Sequence, residues 1–361
     1  MMRRALELAE RGNGMVSPNP LVGCIITSRG HVIAEGWHRG PGTDHAEVAA
    51  LSAAGGAARN ATVYTSLEPC DRFGRTPPCT RALISAGVSR VVVGAADPNL
   101  GEGSPGISEL RTAGIDVTVG VLARESERQN RAFLSHVRTG LPFVMLKMAV
   151  TLDGRSAAKD GSSKWISGEA SRADVQQLRT WADAVVAGAG TVLTDDPSLT
   201  VRELPEGARP ALRVVVDSTG RVPADRRVFY PNAPTMVATS DVADSQRIEE
   251  WREAGAEVVF LDRDQEGRVS MRSLIRELGK RDVQGVLIEG GPSLAWSAIR
   301  DGVVDGLVYY IAPLLIGGDD AKGSVGGGGF APIAKALPLR FTSVERLGDD
   351  IKVEADVHWD R

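Results

Sequence analysis

The sequence predicts an α/β protein of two domains, and three observations carry that expectation. Strand-like and helical runs alternate along nearly the whole chain, a pattern that builds sheets covered by helices. The alternation breaks at Thr139-Gly140-Leu141-Pro142, where Gly ends a helix and Pro blocks its continuation, so residues 1–140 and 141–361 are expected to fold as separate domains. A chain of 361 residues with 42% hydrophobic and 24% charged residues is also long enough for two cores.

The elements follow in order. Met1 to Arg11 reads as an amphipathic helix, because Glu7 and Glu10 stand where a signal peptide needs apolar residues. It stops at Gly12-Asn13-Gly14, and Ser17-Pro18-Asn19-Pro20 is a rigid turn. Two strands, Leu21 to Thr27 and His31 to Trp37, are joined across Ser28-Arg29-Gly30. His45 to Ala54 has helical apolar spacing, Ala61 to Leu67 is strand-like, Thr80 to Ala86 is helical, and Arg90 to Ala96 is a buried strand. A loop from Asp97 to Gly106, a helix, the strand Ile115 to Val121 and a charged helix to Arg138 complete the first half.

In the second half, strand-like runs occur at Phe143 to Val150, Ala184 to Ala187, Leu212 to Asp217, Thr235 to Thr239, Glu257 to Leu261, Gly285 to Ile288 and Leu307 to Leu315, with helices between most of them. Thr342 to Leu347 and Lys352 to Trp359 form a hairpin across Gly348-Asp349-Asp350, and Ser324 to Gly329 is a flexible loop.

The chemistry concentrates near the start, in His45-Ala46-Glu47, Glu68-Pro69-Cys70 and Cys79. One imidazole and two thiolates make a zinc site whose fourth tetrahedral position stays open to water, as in catalytic rather than structural centres. If His45 opens a helix, Glu47 points about 200° away around its axis, so it is expected to move protons rather than bind the metal. Zinc-dependent base deaminases use this His-x-Glu, Pro-Cys, Cys logic. Cys24, inside an apolar strand, reads as packed.

Composition limits the partners. The net charge of −4 and 5% aromatic content disfavour a nucleic acid substrate. Three cysteines make no disulfide framework, which points to the reducing cytoplasm. No stretch is long and apolar enough to suggest a membrane span. Leu287 to Leu294 runs from a strand through Glu289-Gly290-Gly291 into a helix, which fits either a tight turn or a phosphate site but not the G-x-G-x-x-G fingerprint. Asp195-Asp196-Pro197 is equally open between a solvated loop and a site.

These stretches, with Gly74-Arg75-Thr76-Pro77-Pro78, Leu152-Asp153-Gly154-Arg155, Trp165-Ile166-Ser167 and Thr191 to Pro197, together resemble the bifunctional deaminase/reductase family of riboflavin biosynthesis over nearly the whole chain. The resemblance implies a cytidine-deaminase-like N-terminal domain and a dihydrofolate-reductase-like C-terminal domain. The first would hydrolyse the 2-amino group of a pyrimidinone ribosyl phosphate, with His45, Cys70 and Cys79 on Zn²⁺, Glu47 as acid/base, and Asn19, His38 and Arg75 lining the pocket. The second would reduce the ribosyl group to ribityl with NADPH.

By the same resemblance the NADPH positions are Ala149, Trp165, Thr191, Asp195, Ser218, Gly291, Pro292, Ser293, Leu294, Ala295, Trp296 and Ser297. The substrate positions are Ser163, Arg179, Leu199, Arg202 and Glu289, with Arg179 and Arg202 suited to clamp a phosphate. Lys147, on the strand before Asp153, is a further candidate, for proton transfer at the opened, imine-like form of the sugar that would accept the hydride. Asp71-Arg72-Phe73 stands where the family often has Ser-His, so one pocket-wall histidine is missing. A homo-oligomer, dimer or tetramer, is the default expectation. The rival reading is a zinc deaminase of a nucleoside, base or tRNA with a non-catalytic C-terminal half. The eight-residue spacer before Cys79 counts against it, since nucleic-acid deaminases usually have Cys-x-x-Cys there.

Overall fold

The computed structural model describes residues 1–73, 77–98 and 104–357. The chain divides into two compact units: Met1–Gly140 with Glu206–Ala208, and Leu141–Pro205 with the chain from Arg209 onward.

The first unit is a five-stranded sheet of β1 (Gly23–Ser28), β2 (His31–Trp37), β3 (Thr62–Leu67), β4 (Arg90–Ala95) and β5 (Asp116–Val119), in the order β2-β1-β3-β4-β5. β1 runs antiparallel to β2 and β3, while β3, β4 and β5 are parallel. Alternate residues face opposite ways, as the pleat demands. Cys24, Ile26, Val91 and Val93 share one core with residues of α2 (Ala46–Ala54), α3 (Cys79–Ala86) and α4 (Pro105–Thr112). Ile25 and Val92 turn instead toward α1 (Met2–Ala9). The expected charged helix is two, α5 (Ala123–Gln129) and α6 (Arg131–Thr139). They meet at Asn130, whose buried amide donates to the Leu21 carbonyl at 2.9 Å and accepts from the Leu21 N–H at 2.8 Å.

The second unit is built on a nine-stranded sheet. Its strands are β6 (Phe143–Thr151), β8 (Ala184–Gly188), β9 (Leu212–Val216), β10 (Thr235–Thr239), β11 (Glu257–Phe260), β12 (Gly285–Ile288), β13 (Gly306–Ala312), β15 (Leu339–Leu347) and β16 (Asp350–Val357). The order is β11-β10-β9-β8-β12-β6-β13-β16-β15. The strands are parallel from β11 to β13, and the closing hairpin is antiparallel.

One face of this sheet packs on α10 (Met271–Gly279) and α11 (Pro292–Arg300), the other on α7 (Glu169–Trp181), α8 (Ala189–Asp195) and α9 (Ser245–Glu253). A small pairing of β7 (Arg155–Ala157) with β14 (Lys322–Gly323) was too short to read from the pattern. The Ser324–Gly329 loop is tied down rather than loose: Ser324 N–H donates to Gly154 O at 3.1 Å and Gly326 N–H to Pro292 O at 3.0 Å.

At the far edge, β15 and β16 are amphipathic. Val344 pairs with Val353 and Phe341 with Ala355 on one face, while Glu345 pairs with Lys352 on the other. Phe341 and Val344 are exposed on the apolar face, at 70% and 63%.

Candidate active sites

In the first unit, β2 delivers the chain through a loop to His45, the N-cap of α2. α2 lies directly on β2 because Gly36 has no side chain: a Cβ there would sit 2.3 Å from the Ala46 carbonyl oxygen. Cys70 follows β3, and Cys79 is the first residue of α3. His45 Nδ1 lies 3.4 Å from Cys70 Sγ and 3.3 Å from Cys79 Sγ. All three ligand atoms lie within 4.8 Å of one another, and they are the sole such group of His, Cys, Asp and Glu among the described residues. A tetrahedral zinc with ordinary bond lengths sets its N and S ligands roughly 3.5 Å apart, so the donor set fits that ion.

The Cys79 thiol donates to Cys70, and with His45 and the Cys79 N–H this holds the Cys70 thiol well below its ordinary range against burial. The same hydrogen bond, with burial and the nearby Glu47, pushes Cys79 up.

Glu47 is buried beside them, with Oε1 accepting from Thr65 Oγ1 at 3.3 Å. Burial, then the charge of Cys70, raises its carboxyl toward the protonated form. The expected helical separation is not what parts it from the metal ligands. His45 stands before the helix with extended backbone at φ −68° and ψ 158°, and Glu47 occupies the first turn.

His38 is buried rather than on the surface. Its Nδ1 faces the Asp44 carbonyl at 3.2 Å and can only donate there, which leaves Nε2 to accept from the Asn19 amide at 2.9 Å. Burial lowers the pKa of the ring, in keeping with that neutral form. The His38 ring meets His45 edge-on at 5.4 Å, so Asn19, His38 and His45 form one contact chain. Arg75 lies outside the described residues. Thr65, which sequence reasoning missed, is an ordinary strand residue whose contact with Glu47 exists only across 18 positions.

The second unit has a topological switch point between β8 and β12. The chain leaves β8 toward β9 on one side, and leaves β12 past β6 toward β13 on the other. α8 and α11 consequently start beside each other on opposite faces, capped by Gly188 and Gly291. Ligands of open α/β sheets bind in such crevices, where helix N-termini offer free N–H groups to phosphate.

Several expected residues meet here. A Cβ on Gly291 would lie 3.6 Å from Thr191 Oγ1. Ser163 Oγ donates to Asp195 Oδ1 at 3.1 Å, and Lys164 Nζ to the Asp195 carbonyl at 3.2 Å. Trp165 is no core aromatic: it is 67% exposed, with the Arg172 guanidinium 4.8 Å from its ring centre. Arg179 engages Glu289 through Nε at 2.6 Å and Nη2 at 3.0 Å, and its Nη1 reaches the Thr200 carbonyl at 3.0 Å. Lys147 Nζ stands 3.7 Å from Glu289. Against the raising effect of burial, Arg179 and Lys147 hold the Glu289 carboxyl at about 2.

The remaining positions serve the scaffold as well. Ser218 Oγ accepts from the Val269 N–H at 2.9 Å, and Ala149 is half-buried on β6. Leu199 is buried with φ at 53°, and Arg202 is exposed, its N–H donating to Gln176 Oε1 at 3.0 Å. On α11, Pro292 opens the helix and Ser293 is exposed, whereas Leu294, Ala295, Trp296 and Ser297 are buried. The Trp296 ring packs edge-on against Phe330 at 5.3 Å.

Comparison with known proteins agrees with both halves. Residues 1–95 match the cytidine and deoxycytidylate deaminase zinc-binding region, and residues 142–353 match the RibD C-terminal domain. The riboflavin biosynthesis protein RibD of Escherichia coli K12 is 41% identical over 97% of this chain and 96% of its own. The solved structure of Acinetobacter baumannii RibD superposes with a TM-score of 0.86 at 36% identity, covering 99% of this chain and 98% of that one. That of the Thermotoga maritima diaminohydroxyphosphoribosylaminopyrimidine deaminase/5-amino-6-(5-phosphoribosylamino)uracil reductase gives 0.84 at 34% identity, over 99% and 97%.

Fold and site thus define a two-domain enzyme, a cytidine-deaminase-like hydrolase followed by an oxidoreductase, which works with zinc and NADPH. The chain belongs to the RibD family, the bifunctional deaminase/reductases of riboflavin biosynthesis.

Proposed function

We propose that residues 1–140 deaminate 2,5-diamino-6-ribosylamino-4(3H)-pyrimidinone 5′-phosphate at its 2-amino group and that residues 141–361 then reduce the ribosyl side chain, giving 5-amino-6-(5-phospho-D-ribitylamino)uracil. The observation that carries the reading is the convergence of His45, Cys70 and Cys79 beside a buried Glu47 in a chain that also holds the β8/β12 crevice. The division into two compact units supports the domain assignment.

His45 Nδ1 and the sulfurs of Cys70 and Cys79 would hold zinc, which supplies the Lewis acidity that makes water nucleophilic near neutral pH. Glu47 takes the proton of the attacking water at a carboxylate oxygen and returns it to the departing ammonia. Burial raises its carboxyl toward the protonated form, and Thr65 Oγ1 lies 3.3 Å from one of its oxygens. Asn19, its amide direction set by His38, lines the ring edge, and Arg75 meets the phosphate.

In the reductase, the starts of α8 and α11 with Thr191, Asp195 and Trp165 would hold NADPH, which would supply the hydride. Ala149, Ser218 and the residues from Gly291 to Ser297 complete that wall. Glu289, fixed by Arg179 and Lys147, accepts hydroxyls of the opened sugar. Because Arg179 is occupied by Glu289, the exposed Arg202 is the clamp for the substrate phosphate, and Ser163 and Leu199 shape the pocket around it.

A homo-oligomer, dimer or tetramer, is supported by the exposed apolar face of β15 and β16, since large apolar patches mark contact surfaces. Three unpaired cysteines support a cytoplasmic location. No helix of the described residues is long and apolar enough to cross a membrane.

The test is mass spectrometry of the pyrimidinone phosphate after incubation with zinc-loaded protein, with and without NADPH. A deaminated product alone, then a deaminated product two hydrogens richer, is expected. Unchanged substrate in both tubes would overturn the reading.

A further inference from the structure

The zinc ligand Cys70 is preceded by Glu68, a carboxylate with no part in the chemistry above. Glu68 extends the β3 ladder, its N–H donating to Ala95 O at 2.9 Å, and its side chain is 4% exposed. Oε2 accepts from the Asp97 N–H at 3.3 Å, the carboxylate faces Ser104 and the Ile107 N–H, and Oε1 is buried without a hydrogen-bond partner among the described residues. Among the described residues no basic side chain forms an ion pair with it.

Ile107 is the third residue of α4, and that helix has no side-chain cap of its own from Ser104. Glu68 therefore stands at the start of a helix remote in sequence, where the dipole favours its charge against the burial that raises its carboxyl. α3 likewise lacks a side-chain cap, and there Cys70 serves: its carbonyl accepts from the Thr80 N–H at 3.2 Å and its sulfur from the Cys79 N–H at 3.3 Å. The tripeptide Glu68-Pro69-Cys70 thus meets the starts of two helices at once. The fit is close, since a Cβ on Gly106 of α4 would lie 2.8 Å from the Pro69 carbonyl oxygen.

We infer that Glu68 is a positioning residue for deamination, acting through Cys70: by locking the start of α4 onto the Glu68-Pro69-Cys70 segment it fixes where the Cys70 sulfur stands relative to Cys79 and His45. This rests on the deaminase reading of that site. With the carboxylate removed, α4 and the ligand segment separate, and the sulfur keeps its chemistry but loses its fixed place.

The test compares Glu68→Ala and Glu68→Gln in the full chain. For Glu68→Ala, deamination kcat is expected to fall at least tenfold. Zinc should pass to a chelator several times faster, and the visible absorption of the cobalt-substituted protein should shift. Reductase turnover on the deaminated substrate should stay unchanged. Glu68→Gln, which keeps an acceptor oxygen, should recover most of each loss. Wild-type deamination and zinc release in Glu68→Ala would overturn the inference, as would a parallel loss of reductase turnover in both variants. Failure of the wild-type chain to deaminate would instead strike the underlying reading.

Discussion

Arg179 on α7 holds both carboxylate oxygens of Glu289, at 2.6 and 3.0 Å, across 110 positions of sequence. The pair is buried, and Lys147 approaches from β6. Two cations around one carboxylate keep Glu289 ionised where a solitary buried acid would be neutral.

That arrangement makes stability depend on pH in a defined window. The Glu289 carboxyl is depressed from 4.5 to about 2, so the unfolded chain binds the proton first as pH falls. The contribution is fully present above about 4.5 and is lost between there and about 2, with a magnitude up to about 3 kcal/mol. Urea unfolding from pH 6 to about 2.5 should show this loss in the wild type and a flatter profile in Glu289→Gln. Equal slopes for the two proteins would refute it.

Glu47→Gln should keep its zinc and lose deamination by about 10²- to 10⁴-fold, the usual worth of a positioned acid/base. Reduction of the deaminated substrate should be unaffected. Loss of zinc in that variant, read by metal analysis, would make Glu47 a ligand and contradict the three-residue cluster.

Cys79→Ser, or prolonged chelation of the wild type, should abolish deamination and leave NADPH oxidation by the deaminated substrate intact. Stopped-flow absorbance at the nicotinamide band measures the second activity directly. A joint loss would mean that the two units do not work independently.

Trp165→Ala should raise the KM for NADPH by about tenfold while moving the melting temperature little, because an exposed ring adds little to the core. A destabilised protein with unchanged KM would return Trp165 to a structural role.

Much of the first site was legible because its ligands are rare residue types at telling spacings, as with His45, Glu47, Cys70 and Cys79. Strands such as Thr235–Thr239 and Gly285–Ile288 were equally plain, since β-branched and apolar runs between turns encode burial locally. What was not legible depends on partners far away. The break at Asn130 requires Leu21, 109 positions earlier. The engagement of Arg179 by Glu289 requires knowing that α7 crosses above β12 and β6. The switch point itself is a property of strand order, which alternation of strands and helices does not specify.

The three sulfurs also differ in what a thiol reagent would find. Cys24 and Cys79 are wholly buried with raised pKa values, whereas Cys70 is partly exposed and predisposed to be a thiolate. Alkylation therefore addresses a single sulfur, and only when no metal holds it. The rate of labelling becomes a gauge of how full the zinc site is, readable on the intact enzyme without any substrate.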